Sequence, residues 1–487
     1  MLGAMNLDAD ACYRAVRARD RRFDGRFFTA ISSTGIYCRP VCPARPARRE
    51  NMRFYSSAAA AEEAGFRPCL RCRPERAPGL APLDLSSRLV QAAVAGIEEH
   101  AHSPASLERL AASLGISGRH LRRVLEAELG VSPIELAQTQ RLLLAKRLIG
   151  ETSLSLTDIA YASGFQSLRR FHALFRARYG TSPRDLRRQA PGAERRGAEG
   201  LTCRLDYRPP LAWTSLLDYL RRRATPGVEW VDATHYRRSV AIGAHRGWLA
   251  VATSDAGDSL TLTLDPRLAP VIGAVIARIK RLFDLNAAPE AVSECLAHDE
   301  LLRPAVARLP GLRVAGAFEG FELALRTVIG QQISVKAAST VAGRVAAAFG
   351  TPVETPFAAL DRLFPTATEI AARSVDEIAA LGIVGQRAHS ILALARAVSE
   401  ERVLLGPSVD VEAQMARLIE LPGIGPWTAQ YIAMRALGWP DAFPAGDLML
   451  QRAAGLSLRA LGERAERWRP WRAYAAHYLW QSLGETP

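Results

Sequence analysis

Lysine is almost missing from this 487-residue chain: of its 63 basic residues only Lys146, Lys280 and Lys336 are lysine, and the rest are arginine. Long apolar runs are missing too. No stretch of 18 apolar residues occurs, which argues against a transmembrane helix, and Met1 to Ala11 carries aspartates rather than the apolar core of a signal peptide. A cytosolic protein with no membrane partner is expected. Only seven cysteines are present, and four of them cluster, which fits a reducing compartment. Cys12, Cys203 and Cys295 read as ordinary core or surface thiols.

What the chain does have is positive charge and enough apolar residues for several cores. A net charge of +14 points to a polyanionic partner, with nucleic acid the first candidate. The length, with 48% hydrophobic and 23% charged residues, implies three or four domains, each able to bury its own core.

Cys38, Cys42, Cys69 and Cys72 are separated by 3, 26 and 2 residues. Two close pairs across an intervening fold are zinc spacing, because thiolates about 2.3 Å from a tetrahedral ion need two short knuckles brought together. Spacing alone leaves open a zinc that merely closes a small domain. The surrounding residues, Thr34-Gly-Ile-Tyr-Cys-Arg-Pro-Val-Cys-Pro-Ala-Arg45, Arg48-Arg-Glu-Asn51 and Ala64-Gly-Phe-Arg-Pro-Cys-Leu-Arg-Cys72, resemble the amino-terminal domain of the bacterial Ada adaptive-response proteins. That resemblance implies that Cys38 takes a methyl group irreversibly from a DNA methylphosphotriester and that the methylated domain then binds a promoter. It also implies that Thr34, Arg45 and Arg67 hold the backbone phosphate, while Pro43 stands where the family's best-known member has arginine. The chemistry is sound: a zinc-held thiolate is a nucleophile at neutral pH. Methylation changes a zinc tetrathiolate from −2 to −1. At ~8 Å and an effective dielectric of ~40 this removes about 1 kcal/mol of repulsion per nearby phosphate.

Beyond a Pro-rich hinge at Arg73 to Pro82, an internal repeat begins. Ser106-Leu-Glu-Arg-Leu-Ala, Gly115, Ser117, Leu121, Leu125 and Gly130 recur as Ser155-Leu-Thr-Asp-Ile-Ala, Gly164, Ser167, Phe171, Phe175 and Gly180. Each copy predicts a helix, a glycine turn and a second helix capped by serine. In each second helix the four-residue apolar spacing turns Arg119, His120, Arg122 and Arg123, or Arg169, Arg170, His172 and Arg176, outward, where they could enter a major groove. The run from Ile159 to Pro183 resembles the AraC-type regulator signature, which implies promoter DNA and RNA polymerase as partners.

From Gln189 to Gly200 apolar periodicity stops, as in a flexible linker. Alternation at Ser239 to Ile242, Trp248 to Thr253 and Ser259 to Asp265, with turn formers at Asp255 to Asp258, predicts a small antiparallel sheet. Helices are expected at Trp213 to Arg223 and Pro266 to Phe283. Tyr207-Arg-Pro-Pro210 and Arg281-Leu-Phe-Asp-Leu285 resemble the amino-terminal domain of AlkA-type alkylpurine glycosylases, and Tyr219 then matches an aromatic of their base pocket.

In the helix-rich remainder, Leu421-Pro-Gly-Ile-Gly-Pro-Trp-Thr-Ala-Gln-Tyr431 precedes Phe443-Pro-Ala-Gly-Asp447. Gly423 and Gly425 allow a tight hairpin whose amides can approach a DNA phosphate. The aspartate 16 residues after Tyr431 completes the helix-hairpin-helix pattern. From about Leu201 to the end the chain resembles AlkA-type DNA-3-methyladenine glycosylase. The resemblance implies Asp447 as the catalytic carboxylate, Trp427, Tyr431 and Trp480 as pocket aromatics, and Gln332, beside Ile333, at the position of the wedge that fills the vacated stack. It also implies a monovalent cation held by carbonyls near Ile419, Leu421 and Ile424. Trp427 occupies the position where bifunctional relatives carry a Schiff-base lysine, so strand cleavage is not expected. No cysteine follows Cys295, which leaves no iron–sulfur loop, and no cysteine precedes histidine, which leaves no O6-methylguanine acceptor motif.

The expected fold class is multidomain, mainly α with α+β parts: a small zinc domain (1–78), a double helix-turn-helix domain (84–188), a linker (189–200), a small antiparallel-sheet domain (201–315) and a helix-hairpin-helix glycosylase domain (316–487). The expected protein is a monomer on the bacterial nucleoid that binds damaged and promoter double-stranded DNA. It would excise 3-methyladenine-type bases as a monofunctional glycosylase and activate transcription once Cys38 is methylated. The alternative is a transcription regulator whose inactive glycosylase half serves as a DNA clamp.

Overall fold

The computed structural model describes residues 8–81, 84–85, 87–100, 105–189, 200–254, 257–406 and 410–483. Most of the expected linker (190–199) and residues 255–256 of the expected turn lie outside them. The chain divides into two compact units: residues 1–209 with 253–280 and 285–288, and residues 210–252 with 281–284 and 289–487.

After a helix, Ala9–Ala18, the first unit has a four-stranded sheet of β1 (Phe28–Ile31), β2 (Ile36–Cys38), β3 (Met52–Tyr55) and β4 (Arg67–Pro68), in the order β3-β1-β2-β4. β2 pairs antiparallel with β1, setting Cys38 opposite Thr29, and parallel with β4, setting Tyr37 opposite Pro68. Continuing the parallel register by one residue sets Cys38, the last residue of β2, beside Cys69, the first after β4. Phe28, Ala30, Tyr37, Ala61 and Phe66 form a small core under this sheet.

The repeat folds as two helix-turn-helix copies, Ala105–Ser113 with Gly118–Leu129 and Leu156–Ala162 with Leu168–Tyr179, joined by the long helix Pro133–Glu151. Gly115 and Gly164 make the turns at φ +68° and +83°, a region open to glycine. The Ser117 hydroxyl accepts from the His120 amide and that of Ser167 from the Arg170 amide, as expected of N-caps. Ser132 and Glu135 cap the joining helix reciprocally. Leu121, Leu125 and Leu129 in one copy, and Phe171, Phe175 and Tyr179 in the other, face the core. Two further strands, β5 (Leu201–Asp206) and β9 (Ser259–Leu264), pair antiparallel in this unit.

The second unit contains helix Trp213–Arg222 and the meander β6 (Glu229–Val231), β7 (His235–Ile242) and β8 (His245–Thr253). β7 starts four residues before the expected Ser239, because the alternation continues through buried Tyr236. β5 and β6 were not anticipated. The single helix expected from Pro266 is a 3-10 segment, Pro266–Val271, followed by an α-helix from Ile272; Pro270 has no N–H to extend an α-helical ladder through it. The carboxyl-terminal helices gather around Leu325, Val328, Ile391, Leu418, Ile424 and Ile432. That core sets helices Val411–Ile419 and Pro426–Arg435 as a hairpin, and helix Leu448–Ala454 follows it.

Candidate functional sites

The four cysteine sulfurs all lie within 4.8 Å of one another. A tetrahedral ion with 2.3 Å bonds to sulfur needs sulfurs about 3.8 Å apart, so the cluster fits zinc. Four thiols at this spacing cannot ionise independently. Donation from Cys38 lowers Cys42 to about 7 and also pulls Cys69 down, while the same contacts push Cys38 and Cys72 up. A divalent cation relieves that conflict. The Arg39 amide donates to Cys72 Sγ at 3.3 Å and the Arg71 amide to Cys69 Sγ at 3.4 Å, which fixes two sulfurs further. Cys42, Cys69 and Cys72 are buried, whereas Cys38 is only half-buried.

Thr34 precedes Gly35, whose carbonyl accepts from the Arg67 amide at 2.8 Å. The Thr34 and Arg67 side chains are exposed, as is Arg45 on the loop after Cys42. On the second helices Arg119, Arg122, Arg123, Arg169, Arg170, His172 and Arg176 are exposed, while His120 is half-buried. Arg122 is engaged with Glu126 at 2.7 Å.

In the second unit Asp447 caps helix Leu448–Ala454 and is 6% exposed. Its Oδ1 accepts from the Met449 and Leu450 amides, each at 2.9 Å. The Trp427 indole donates to Oδ2 at 2.9 Å and the Trp480 indole to Oδ1 at 3.3 Å. Two of the expected pocket aromatics therefore hold the carboxylate itself. Trp427 stacks on Tyr431 with centroids 5.3 Å apart and planes 9° from parallel.

Tyr219 joins this group through a 2.9 Å hydroxyl–hydroxyl bond to Tyr431. Sequence reasoning missed the cations behind the pair. Arg435 donates to the Tyr431 hydroxyl at 3.1 Å and to the Ala315 and Gly316 carbonyls at 2.8 and 3.0 Å. Arg223 lies 3.8 Å from the Tyr219 ring centroid. Burial alone would push the Tyr431 phenol up, but Arg435 and Arg223 pull it down to about 7, while burial pushes Tyr219 to about 12. Burial lowers His477, between Tyr219 and Trp480, to about 3, so it is neutral. The one available signal was that Arg435 lies four residues after Tyr431, on the same helix face.

Gly423 sits at φ +76°, and a Cβ there would come within 2.2 Å of Ser390 Oγ. It and Gly425 are exposed at the hairpin tip. Gln332 is exposed at φ +59°, with Ile333 36% exposed beside it. The neighbouring Gln331, not singled out by sequence, ties this loop to the hairpin by donating to the Gly423 carbonyl at 2.9 Å and to Thr428 Oγ1 at 3.1 Å.

A base-excision fold that carries its own DNA-binding regulator is the class these features define. Residues 11–75 match the family described as the metal binding domain of Ada, and 110–189 a helix-turn-helix domain. Residues 202–319 match the AlkA N-terminal domain, and 325–464 the HhH-GPD superfamily of base excision DNA repair proteins. The probable bifunctional transcriptional activator/DNA repair enzyme AlkA of Mycobacterium tuberculosis is 39% identical over 98% of this chain and 97% of its own. DNA-3-methyladenine glycosylase 2 of Escherichia coli is 35% identical over 58% of this chain and 98% of its own. The bifunctional transcriptional activator/DNA repair enzyme Ada of Escherichia coli is 40% identical over 30% of this chain and 40% of its own. A solved 3-methyladenine DNA-glycosylase from Archaeoglobus fulgidus shares the fold, with TM-score 0.51 and 23% identity over 58% of this chain and 99% of its own. The chain belongs to the family of bifunctional transcriptional activator/DNA repair enzymes of the AlkA type.

Proposed function

We propose that this protein both senses and repairs alkylation damage in double-stranded DNA. Its glycosylase part hydrolyses the bond between sugar and alkylated purine, with 3-methyladenine-type bases as substrates. The observation that carries this reading is Asp447, a buried carboxylate held by the indoles of Trp427 and Trp480. A methylated purine carries positive charge and leaves readily, so the remaining barrier is the cationic sugar. The C1′–N bond breaks with its electron pair going to the base, Asp447 stabilises the oxocarbenium, and water adds at C1′ as its proton leaves to the carboxylate. The flipped base is taken up among Trp427, Tyr431, Trp480 and Tyr219. Tyr431, pulled down to about 7, adds anionic character that favours a cationic ring. Gly423 and Gly425 grip the backbone phosphate, and the loop of Gln332 and Ile333 fills the vacated stack. The hairpin carbonyls of Ile419, Leu421 and Ile424 are the proposed seat of a monovalent cation. Trp427 in place of a lysine makes the enzyme monofunctional, and with the whole Asp447 arrangement intact nothing favours a clamp without chemistry.

In the sensor part Cys38 is the methyl acceptor, being the most accessible of the four thiols. Zinc, when bound, keeps the sulfurs deprotonated at neutral pH. Cys38 Sγ attacks the methyl carbon of a phosphotriester held by Thr34, Arg45 and Arg67. The S–C bond forms as the C–O bond breaks, the electron pair stays on the phosphate, and the cluster loses one negative charge. The exposed arginines of the two second helices, among them Arg119, Arg122, Arg169 and Arg170, then read a promoter in the major groove and recruit RNA polymerase. We expect the protein to act as a monomer in the cytoplasm, on the nucleoid.

Free-purine release from methylated duplex tests the first activity, and failure to release any base would refute it. Intact-mass measurement after incubation with methylphosphotriester DNA tests the second. A 14 Da gain on the Cys38 peptide is expected, and no gain would refute it.

A further inference from the structure

Beside the cysteine cluster stands a guanidinium that methyl transfer does not use. Arg39 follows Cys38 directly and is 6% exposed. Its backbone amide donates to Cys72 Sγ at 3.3 Å and its Nη1 to the Cys72 carbonyl at 3.2 Å. Its Nε donates to Asp24 Oδ1 at 2.8 Å, and Nη2 bonds the other oxygen of the same carboxylate. Nη1 also reaches Asp206 Oδ2 at 2.8 Å.

Asp206 is foreign to the sensor. It ends β5 and lies within the segment matched as the AlkA N-terminal domain, 167 residues further along the chain. Its second oxygen accepts from Arg76 Nη2 at 2.7 Å, and Arg76 lies just past Cys72. The same strand is anchored to the regulator, because the Arg204 amide donates to Glu151 at 3.1 Å and Glu151 pairs with Arg73 at 3.0 Å. All of these residues belong to the first unit. One carboxylate from the repair segment thus bridges Arg39 and Arg76.

We propose that Asp206 is a positioning residue of the methyl acceptor, fixing Arg39 beside Cys38 and, together with Asp24, cancelling its charge. The inference rests on the reading of Cys38 as methyl acceptor. Without Asp206, Arg39 would keep Asp24 alone and Arg76 would lose its 2.7 Å partner, and the surplus positive charge against the cluster would draw electron density from the sulfurs and weaken the attacking nucleophile. It would also attract DNA phosphate before any methyl had been accepted, blunting a switch that works by loss of one negative charge. With two carboxylates around it, Arg39 orders the Cys72 end of the cluster without adding net positive charge. The sensor is then electrostatically complete only when the repair segment is folded against it.

The test uses the full zinc-loaded chain and its Asp206→Asn and Asp206→Glu variants. Three quantities are followed: the rate of the 14 Da gain on the Cys38 peptide, zinc retention against a competing chelator, and affinity of the unmethylated protein for an undamaged duplex. Asp206→Asn is expected to slow methyl transfer about tenfold and to tighten undamaged-duplex binding severalfold, in proportion to one added charge near the phosphates. Zinc retention should be unchanged, and Asp206→Glu should restore both values. If the wild type gains no mass, the acceptor reading falls and this inference with it. If the wild type gains mass and Asp206→Asn matches it within twofold in rate and affinity, only this inference falls. Loss of zinc or folding in both variants would mark a packing contact and overturn it as well.

Discussion

Replacing Asp447 by asparagine removes one buried charge and keeps the helix cap. Asparagine is as good an N-cap as aspartate, so the bonds from the Met449 and Leu450 amides at 2.9 Å survive, and stability should change by less than about 1 kcal/mol. The other oxygen becomes an amide that faces the Trp427 indole N–H, now 2.9 Å from Oδ2. Donor then meets donor, and the indole must shift. At ~4 Å from an oxocarbenium and an effective dielectric of ~20, the lost charge is worth about 4 kcal/mol, or about a thousandfold in rate. Trp427→Phe separates the two effects, because it deletes one hydrogen bond to a charged group, about 1.5 to 3 kcal/mol, and leaves the carboxylate. The assay is single-turnover release of free purine from methylated duplex, with affinity for an abasic-site analogue measured in parallel. Asp447→Asn should be more damaging than Trp427→Phe while still binding the analogue. Activity of Asp447→Asn within tenfold of wild type, or a reversed order, would refute the argument from charge.

Chelation should dismantle the cysteine-bearing sheet before the rest of the chain, since its small core depends on four ligands, and limited proteolysis within residues 1–78 with and without chelator would report it. Gly423→Ala should weaken both DNA binding and base release at least tenfold, because it adds the strain of a positive φ to a 2.2 Å clash with Ser390 Oγ; wild-type affinity for undamaged duplex would refute it. Burial raises Glu62 from 4.5 to about 7, although Tyr37 donates to it at 2.9 Å and Thr139 at 3.1 Å. A raised carboxyl contributes stability that is complete below its unfolded value and lost as pH rises through its folded one, so between pH 4.5 and 7 the contribution should fall by roughly 3 kcal/mol. Glu62→Gln should flatten that slope relative to wild type in denaturation at pH 5 and pH 8. Arg435→Lys leaves one ammonium to serve the Ala315 and Gly316 carbonyls and the Tyr431 hydroxyl; a loss of about 2 to 4 kcal/mol is expected, measured as a lowered denaturation midpoint.

The parts of this fold legible in sequence are those whose cause is local. A serine before an apolar helix, a glycine at a forced turn and two cysteine knuckles each act within a few residues, and Ser117, Ser167, Gly115, Gly164 and the four sulfurs stand where spacing placed them. Asp447 was placed by its 16-residue distance from Tyr431 and by resemblance. β5 carried a readable alternation, with Leu201, Cys203 and Leu205 buried and Thr202, Arg204 and Asp206 turned to the other face, but it begins directly where apolar periodicity resumes after the linker. β6, three residues long with Glu229 buried, had no pattern to read. Pairs such as Tyr219 with Tyr431, or Arg39 with Asp206, join residues far apart in the chain. An isolated charge announces neither its burial nor its partner.

The preference for arginine over lysine has a structural meaning. Arg39 serves two carboxylates and a carbonyl, Arg435 two carbonyls and a hydroxyl, and Arg208 the carbonyls of Gly79 and Asn286, each at 2.7 Å. A planar fork with five donors satisfies several acceptors from one buried position, which a compact ammonium cannot do. Part of the +14 charge therefore does not face DNA at all. Arginines buried against their own backbone stiffen the sites, and only exposed ones, such as Arg45, Arg67, Arg119 and Arg169, are available to phosphate. Salt dependence of DNA binding should accordingly follow this exposed set rather than the net charge of the chain.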